Sequence, residues 1–180
     1  MHRYGNSARL IAAVVGMALL TGVTVAAASG MAWGEPADGM RLGIEIGPRL
    51  TLHIVIENKG KVERNIALGS STAKGAVYDF EFRIKTPDGK ESMLFNMNGP
   101  AGIWSGAQPV IAHIAPGKTW EVSLPMDKFT SMEGGRERKL PDLLQAGYSV
   151  HVIVDTTPAA RAERTRTEWT GRLTSGELRR

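Results

Sequence analysis

Ser105 is the residue nearest to a catalytic nucleophile motif, in the string Gly102-Ile-Trp-Ser-Gly. The nucleophile elbow of serine hydrolases requires G-x-S-x-G between a strand and a helix. Here the glycine before the serine stands at the wrong spacing, and no helical pattern follows. Cysteine is absent from the chain, which excludes thiol catalysis and cysteine metal sites. The sequence therefore predicts no catalytic residue and a protein that is not an enzyme.

Metal binding is predicted to be absent as well. Three histidines lie beyond the N-terminal segment, and the spacing of His53, His113 and His151 fits no metal motif. Copper carriers combine methionine with histidine, but no His-x-Met pair accompanies the methionines at 93, 97, 126 and 132. Methionine also fills irregular gaps in a core. We expect neither a metal nor another cofactor.

Paired carboxylates are the remaining candidates for catalysis, since glycosidases use two of them across a cleft. Asp79 and Glu81 alternate along one predicted strand, but Arg83 and Lys85 share their face. A solvated, charge-balanced strand face explains this pattern better than a catalytic pair.

Trp104 is the strongest candidate for a binding residue. It lies in a glycine-rich segment, residues 96–108, where an aromatic side chain either anchors a partner or folds back onto its own domain. Met97 and Ile103 are its apolar neighbours, and Arg136 and Arg138 are candidate charges at the rim. These five residues form the predicted partner-binding site.

The N-terminal segment predicts export. Arg3 and Arg9 precede an apolar run over residues 10–25, which ends at Ala26-Ala-Ala-Ser. This order is typical of a signal peptide over residues 1–28, and the compartment is then periplasmic or extracellular. Retention as an uncleaved anchor is the alternative, although the run is short for a membrane span. Residues 29–39 are rich in small residues, glycine and proline and predict a linker to a domain over residues 40–180.

Charge excludes one class of partner. The net charge is +4, and without Arg3 and Arg9 the balance is 20 basic against 18 acidic residues. Nucleic-acid binders carry a much stronger basic excess, so no nucleic-acid partner is expected. Arginines at 161, 164 and 166 are interspersed with acidic residues and indicate a solvated loop.

The elements that would position these residues are strands. Apolar residues alternate with polar ones over 50–56, 78–84, 120–124 and 148–154, and shorter candidates are 41–46, 62–68, 90–95, 109–114, 165–170 and 172–178. Turn signals separate them at 58–60, 86–89 and 115–118. One short helical turn is predicted at 141–146, and long connections are predicted at 69–76, 96–108 and 125–139. The pattern indicates an all-β sandwich or barrel.

Four segments carry a family resemblance. Leu140-Pro-Asp-Leu-Leu-Gln-Ala-Gly-Tyr-Ser-Val-His-Val resembles the tyrosine corner of immunoglobulin-like sandwiches, with Tyr148 as the matching residue. Ile54-Val-Ile-Glu-Asn-Lys-Gly, Ile114-Ala-Pro-Gly-Lys-Thr-Trp and Trp169-Thr-Gly-Arg-Leu-Thr-Ser resemble other strands of bacterial extracytoplasmic immunoglobulin-like domains. Their order is similar to the BsuPI-type proteinase-inhibitor domain. The resemblance implies an immunoglobulin-like antiparallel β-sandwich of about eight or nine strands.

These observations together predict an exported, non-enzymatic interaction module that binds a protein at the cell envelope. Two alternatives stay open. The resemblance implies proteinase inhibition of the BsuPI-like type, and Trp104 with Tyr78 would suit a carbohydrate-binding module. The oligomeric state is not predicted.

Overall fold

The chain forms an all-β, sandwich-like fold of antiparallel sheets. The computed structural model describes residues 30–72, 75–96, 108–133, 135–157 and 168–180. Within these ranges the strands are β1 Ala32–Trp33, β2 Met40–Gly47, β3 Thr51–Asn58, β4 Arg64–Thr72, β5 Gly75–Tyr78, β6 Phe80–Lys85, β7 Glu91–Asn96, β8 Gln108–Ile114, β9 Thr119–Pro125, β10 Phe129–Glu133, β11 Arg136–Lys139, β12 Ser149–Asp155 and β13 Arg172–Thr174. One short helix, α1 Leu140–Gln145, precedes β12.

Three sheets are built from these strands. Sheet I has the order β1-β2-β3-β9, sheet II has the order β11-β10-β7-β6-β12-β13, and sheet III has the order β5-β4-β8. Each pair of neighbouring strands in these sheets runs antiparallel. In sheet I, β2 lies against β12 and β13 of sheet II. The described residues thus hold thirteen strands, more than the eight or nine expected. The additional strands include β1, β10 and β11, which lie in segments predicted as a linker or a connection, and β5, which is separate from β6.

The core follows the alternation of apolar residues. On β3, Leu52, Ile54 and Ile56 are fully buried, as the pattern predicts, whereas Leu50 is 46% exposed and precedes the strand. The predicted strand 78–84 is divided in the structure. Tyr78 ends β5, the amide of Asp79 donates to the Leu68 carbonyl at 2.8 Å, and β6 begins at Phe80.

The predicted turns are confirmed at two hairpins. The amide of Gly89 donates to the Thr86 carbonyl at 2.9 Å, and Gly89 has a φ of +88°, a backbone conformation that glycine adopts at little cost. The amide of Lys118 donates to the Ala115 carbonyl at 3.0 Å in the turn between β8 and β9. The short helix is also confirmed, as α1.

Two predicted connections contain regular structure instead. Residues 69–72 of β4 pair with residues 75–78 of β5, and β10 and β11 form a hairpin within 125–139. These strands could not be recognised in the sequence, because they are rich in small polar and charged residues and show no apolar alternation. Residues 168–170, the described part of the predicted strand 165–170, form only an isolated bridge between Asn65 and Glu168.

The segment predicted as a linker is hydrogen-bonded to the domain from Ala32 onward. Ala32 and Trp33 pair with Ile44 and Gly43 of β2, and the Ala32 carbonyl accepts the amide of Gly176 at 3.1 Å. Trp33 lies so close to Gly43 that a Cβ there would stand 2.6 Å from the indole Cε3. The predicted linker therefore joins β2 of sheet I to the chain that follows β13 of sheet II. Within the described residues, no helix is long and apolar enough to cross a membrane.

Candidate binding cleft

A cleft opens at one end of the sandwich, where β5, β6, β7, β9 and β10 meet. Its volume is about 390 Å³, which falls in the range of small-ligand pockets. Most of its inner surface comes from aromatic and aliphatic side chains: Tyr78, Phe80, Phe82, Leu94, Leu124 and Phe129. We refer to this feature as the aromatic cleft.

The floor of the aromatic cleft is set by strand alternation. Phe80 and Phe82 stand two residues apart on β6, so both point to the inner face of sheet II. Leu94 of β7 pairs with Phe82, and the Phe82 ring centroid lies 4.5 Å from that of Phe129, at the start of β10. Phe82, Leu94 and Phe129 are almost completely buried. The floor is therefore a fixed part of the core.

One wall is an aromatic cluster that joins all three sheets. Tyr78 of β5 stacks on Phe80, with ring centroids 5.3 Å apart and an angle of 14° between the rings. Trp120 of β9 meets both rings edge-on, at 5.6 Å from Tyr78 and 6.2 Å from Phe80. These distances and angles are those that aromatic pairs favour. The cluster holds one side of the cleft in place.

The mouth of the cleft is more exposed than its floor. Ala76, Phe95, Asn96 and Pro125 form it, and all four are exposed. The described lining holds no aspartate, glutamate, lysine, arginine or histidine. A charged group would lose its hydration there without gaining an ionic partner. The cleft is thus suited to a neutral, apolar group of the size of one large side chain.

Of the five predicted partner-binding residues, Arg136 and Arg138 lie within the described part of the chain. Met97, Ile103 and Trp104 lie outside the described residues. Arg136 is exposed on β11, and the guanidinium of Arg138 lies 5.5 Å from the centroid of the Tyr148 ring. Both arginines lie on β11, an edge strand of sheet II, and neither belongs to the lining of the cleft.

The histidines lie on three different strands. His53, on the outer face of β3, has its Nε2 atom 3.2 Å from Glu121 Oε2 and its Nδ1 atom 3.8 Å from Glu45 Oε1. His113 Nδ1 lies 2.8 Å from Asn65 Oδ1, and His151 is buried on β12. In the described ranges, no group of three or more histidine and carboxylate side chains could hold a metal ion.

The structure describes only some of the candidate catalytic residues. Ser105 lies outside the described residues. Glu81 forms an ion pair with Arg83 of the same strand, and Asp79 is exposed between β5 and β6. The two carboxylates do not face each other across a cleft, since they are neighbours on one short stretch of chain.

Sequence reasoning identified Tyr78 but not the cleft that it lines. Phe82 and Leu124 lie on predicted buried strand faces, and Phe129 lies in the predicted connection 125–139. Alternation indicates which face of a strand is buried but not where sheets separate. The comparisons add no identity: no protein-family model, no curated protein and no solved structure matches this chain.

Proposed function

We propose that this protein is an exported, non-enzymatic interaction module with an immunoglobulin-like sandwich, and that it binds a protein of the cell envelope at the aromatic cleft. The aromatic cleft is the single observation that carries the proposal. Interfaces concentrate their binding energy in a few aromatic side chains that meet in a dry pocket. The aromatic cleft supports this proposal, because the half-buried Tyr78 and Leu124 line it above a buried floor that includes Phe82 and Phe129.

The chemistry of the lining favours an apolar side chain over a sugar. A bound sugar requires several hydrogen-bonding groups, since each buried hydroxyl without a partner costs free energy. The side chains on the inner surface of the cleft are mainly aromatic and aliphatic, and the face of Tyr78 that stacks on Phe80 is already occupied. The export and envelope parts of the proposal rest on the signal-like residues 1–28.

Affinity capture with a blocked cleft tests this function. Ala76 is exposed at the mouth, so Ala76→Trp places an indole over the cleft without disturbing the core. The matched control is Ile111→Trp, which puts the same ring at a 44% exposed position on β8. Each protein is immobilised and offered an envelope extract after its melting temperature has been checked.

We expect one envelope protein to be retained by the unmodified chain and by Ile111→Trp but not by Ala76→Trp. Equal capture by all three proteins would show that the cleft is not the binding site. Absence of any captured protein would count against an envelope partner altogether.

A further inference from the structure

The strand that borders the aromatic cleft is also an open sheet edge. β9 is the last strand of sheet I, and its seven residues pair with β3 along one side. Within the described residues, no strand pairs with its other side. An edge of this length leaves a row of amide and carbonyl groups that can pair with another chain.

The hydrogen bond next to the β8–β9 turn shows which backbone groups of β9 point toward the open edge. The amide of Asn58 donates to the Lys118 carbonyl at 3.0 Å, so this pair is hydrogen-bonded. Hydrogen-bonded and non-hydrogen-bonded pairs alternate in an antiparallel ladder. Trp120, Val122 and Leu124 therefore bond to β3. The amides of Glu121 and Ser123 point to the open edge.

Burial across sheet I indicates that the edge is incomplete. The inward side chains of β3 are fully buried, with Leu52, Ile54 and Ile56 all at 0% exposure. The inward side chains of β9, Trp120, Val122 and Leu124, are only half-buried. A strand added beyond β9 would cover this remaining apolar surface.

We propose that the partner adds an extended segment to the open edge of β9 and inserts one of its apolar side chains into the aromatic cleft. This inference rests on the proposed function and names how the partner binds. A residue paired with Leu124 would point inward, as Leu124 does, and Leu124 and Pro125 form the cleft wall. Backbone pairing would supply affinity, and the cleft would select the side chain.

Charge and packing define the segment further. Glu121 points outward from β9 with its side chain 54% exposed. In an antiparallel pairing the residue opposite Glu121 lies three positions after the inserted side chain, so a basic residue is favoured at that position. A second copy of β9 paired about Val122 does not fit this description. In an antiparallel pairing centred on Val122 the residue opposite Leu124 is Trp120, whose ring already packs on Tyr78 and Phe80 of its own chain.

Two synthetic peptides test the inference. The protein is expressed as the full chain and purified in the form that the cell produces from it. The first is Thr-Val-Lys-Phe-Thr-Val-Lys, whose last residue would lie opposite Glu121, and the second carries Asp in place of Phe. Binding is followed by fluorescence anisotropy, and hydrogen exchange at Glu121 and Ser123 reports pairing at the edge. We expect the Phe peptide to bind at least about tenfold more tightly, the effect of burying one aromatic ring, and to slow exchange at both amides.

Ser123→Pro removes one open-edge amide, whereas Ser123→Ala keeps it. Proline is tolerated where the amide of an edge strand faces away from the ladder. We expect Ser123→Pro to weaken the Phe peptide about tenfold, since a lost amide leaves a carbonyl of the peptide unpaired. Ser123→Ala should bind as the unmodified protein does.

Three results would overturn the inference. If Ser123→Pro binds the Phe peptide with unchanged affinity while Ala76→Trp loses binding, the cleft is the binding site but the peptide does not pair with β9. The proposed function would then stand without the strand addition. Slow exchange at Glu121 and Ser123 in the free monomer would mean that the edge is already covered. Dimerisation of the protein that Ser123→Pro abolishes would make a second copy the occupant.

Discussion

The side-chain amide of Asn58 ties the end of β3 to the end of β8, because its Nδ2 donates to the Ile114 carbonyl at 2.8 Å. The same nitrogen donates to the Val62 carbonyl at 2.8 Å, and Oδ1 accepts the amide of Gly60 at 2.9 Å. Asn58 is fully buried. One residue thus holds the corner at which sheets I and III meet and from which β9 begins.

Asn58→Ala should destabilise the fold, since two carbonyls and one amide lose a buried partner. We expect a loss of about 2–4 kcal/mol in the free energy of unfolding, measured by urea denaturation. Asn58→Asp keeps the shape but turns a carboxylate toward the Ile114 and Val62 carbonyls, and it should be no more stable than Asn58→Ala at neutral pH. A neutral effect of either variant would contradict this role.

Glu177 gives the fold a dependence on acid pH. Lys85 lies 2.7 Å from one carboxylate oxygen, and Arg179 and Ser149 contact the other at 3.0 Å and 3.2 Å. These contacts, that with Lys85 foremost, lower the pKa of Glu177 from 4.5 to about 2. A carboxyl group whose pKa is lower in the folded chain stabilises the fold above its unfolded pKa. The stabilisation is lost as the pH falls from 4.5 toward 2.

Glu177→Gln should therefore be less stable than the unmodified protein at pH 7, and the two should converge as the pH falls toward 2. The pair is partly solvated, so the difference at pH 7 should be about 1 kcal/mol or less. Urea denaturation at a series of pH values measures it. A difference that stays constant from pH 7 to pH 2 would show that the charge of Glu177 is not the cause.

Leu50 has an unfavourable backbone conformation in the turn between β2 and β3. Its φ is +55°, in the left-handed region, and its side chain is 46% exposed. Leu50→Gly should raise the free energy of unfolding by about 1 kcal/mol, because glycine adopts this conformation without strain and little apolar burial is lost. Thr51→Gly is the control. Thr51 has a φ of −97°, so glycine there should lower stability. Destabilisation by both variants would exclude strain at Leu50.

Much of the fold could be predicted from alternation and turn residues, while the site could not. The buried face of β3 and the hairpin around Gly89 follow from local sequence, since one strand and one turn determine them. The separate strands on either side of Asp79 belong to different sheets, since β5 pairs with the neighbouring β4 whereas β6 pairs with β12, which is distant in sequence. The cleft depends on where Leu124 and Phe129 meet Phe82 across sheets, and no single segment encodes that distance.

Photocrosslinking from the cleft in intact cells tests the central claim most directly. A photoreactive phenylalanine analogue replaces Ala76 at the mouth of the cleft, and the same analogue at Ile111 is the control. We predict a discrete covalent adduct to one envelope protein from position 76 and none from position 111. The same adduct from both positions, or none from position 76, would contradict a binding site at the aromatic cleft.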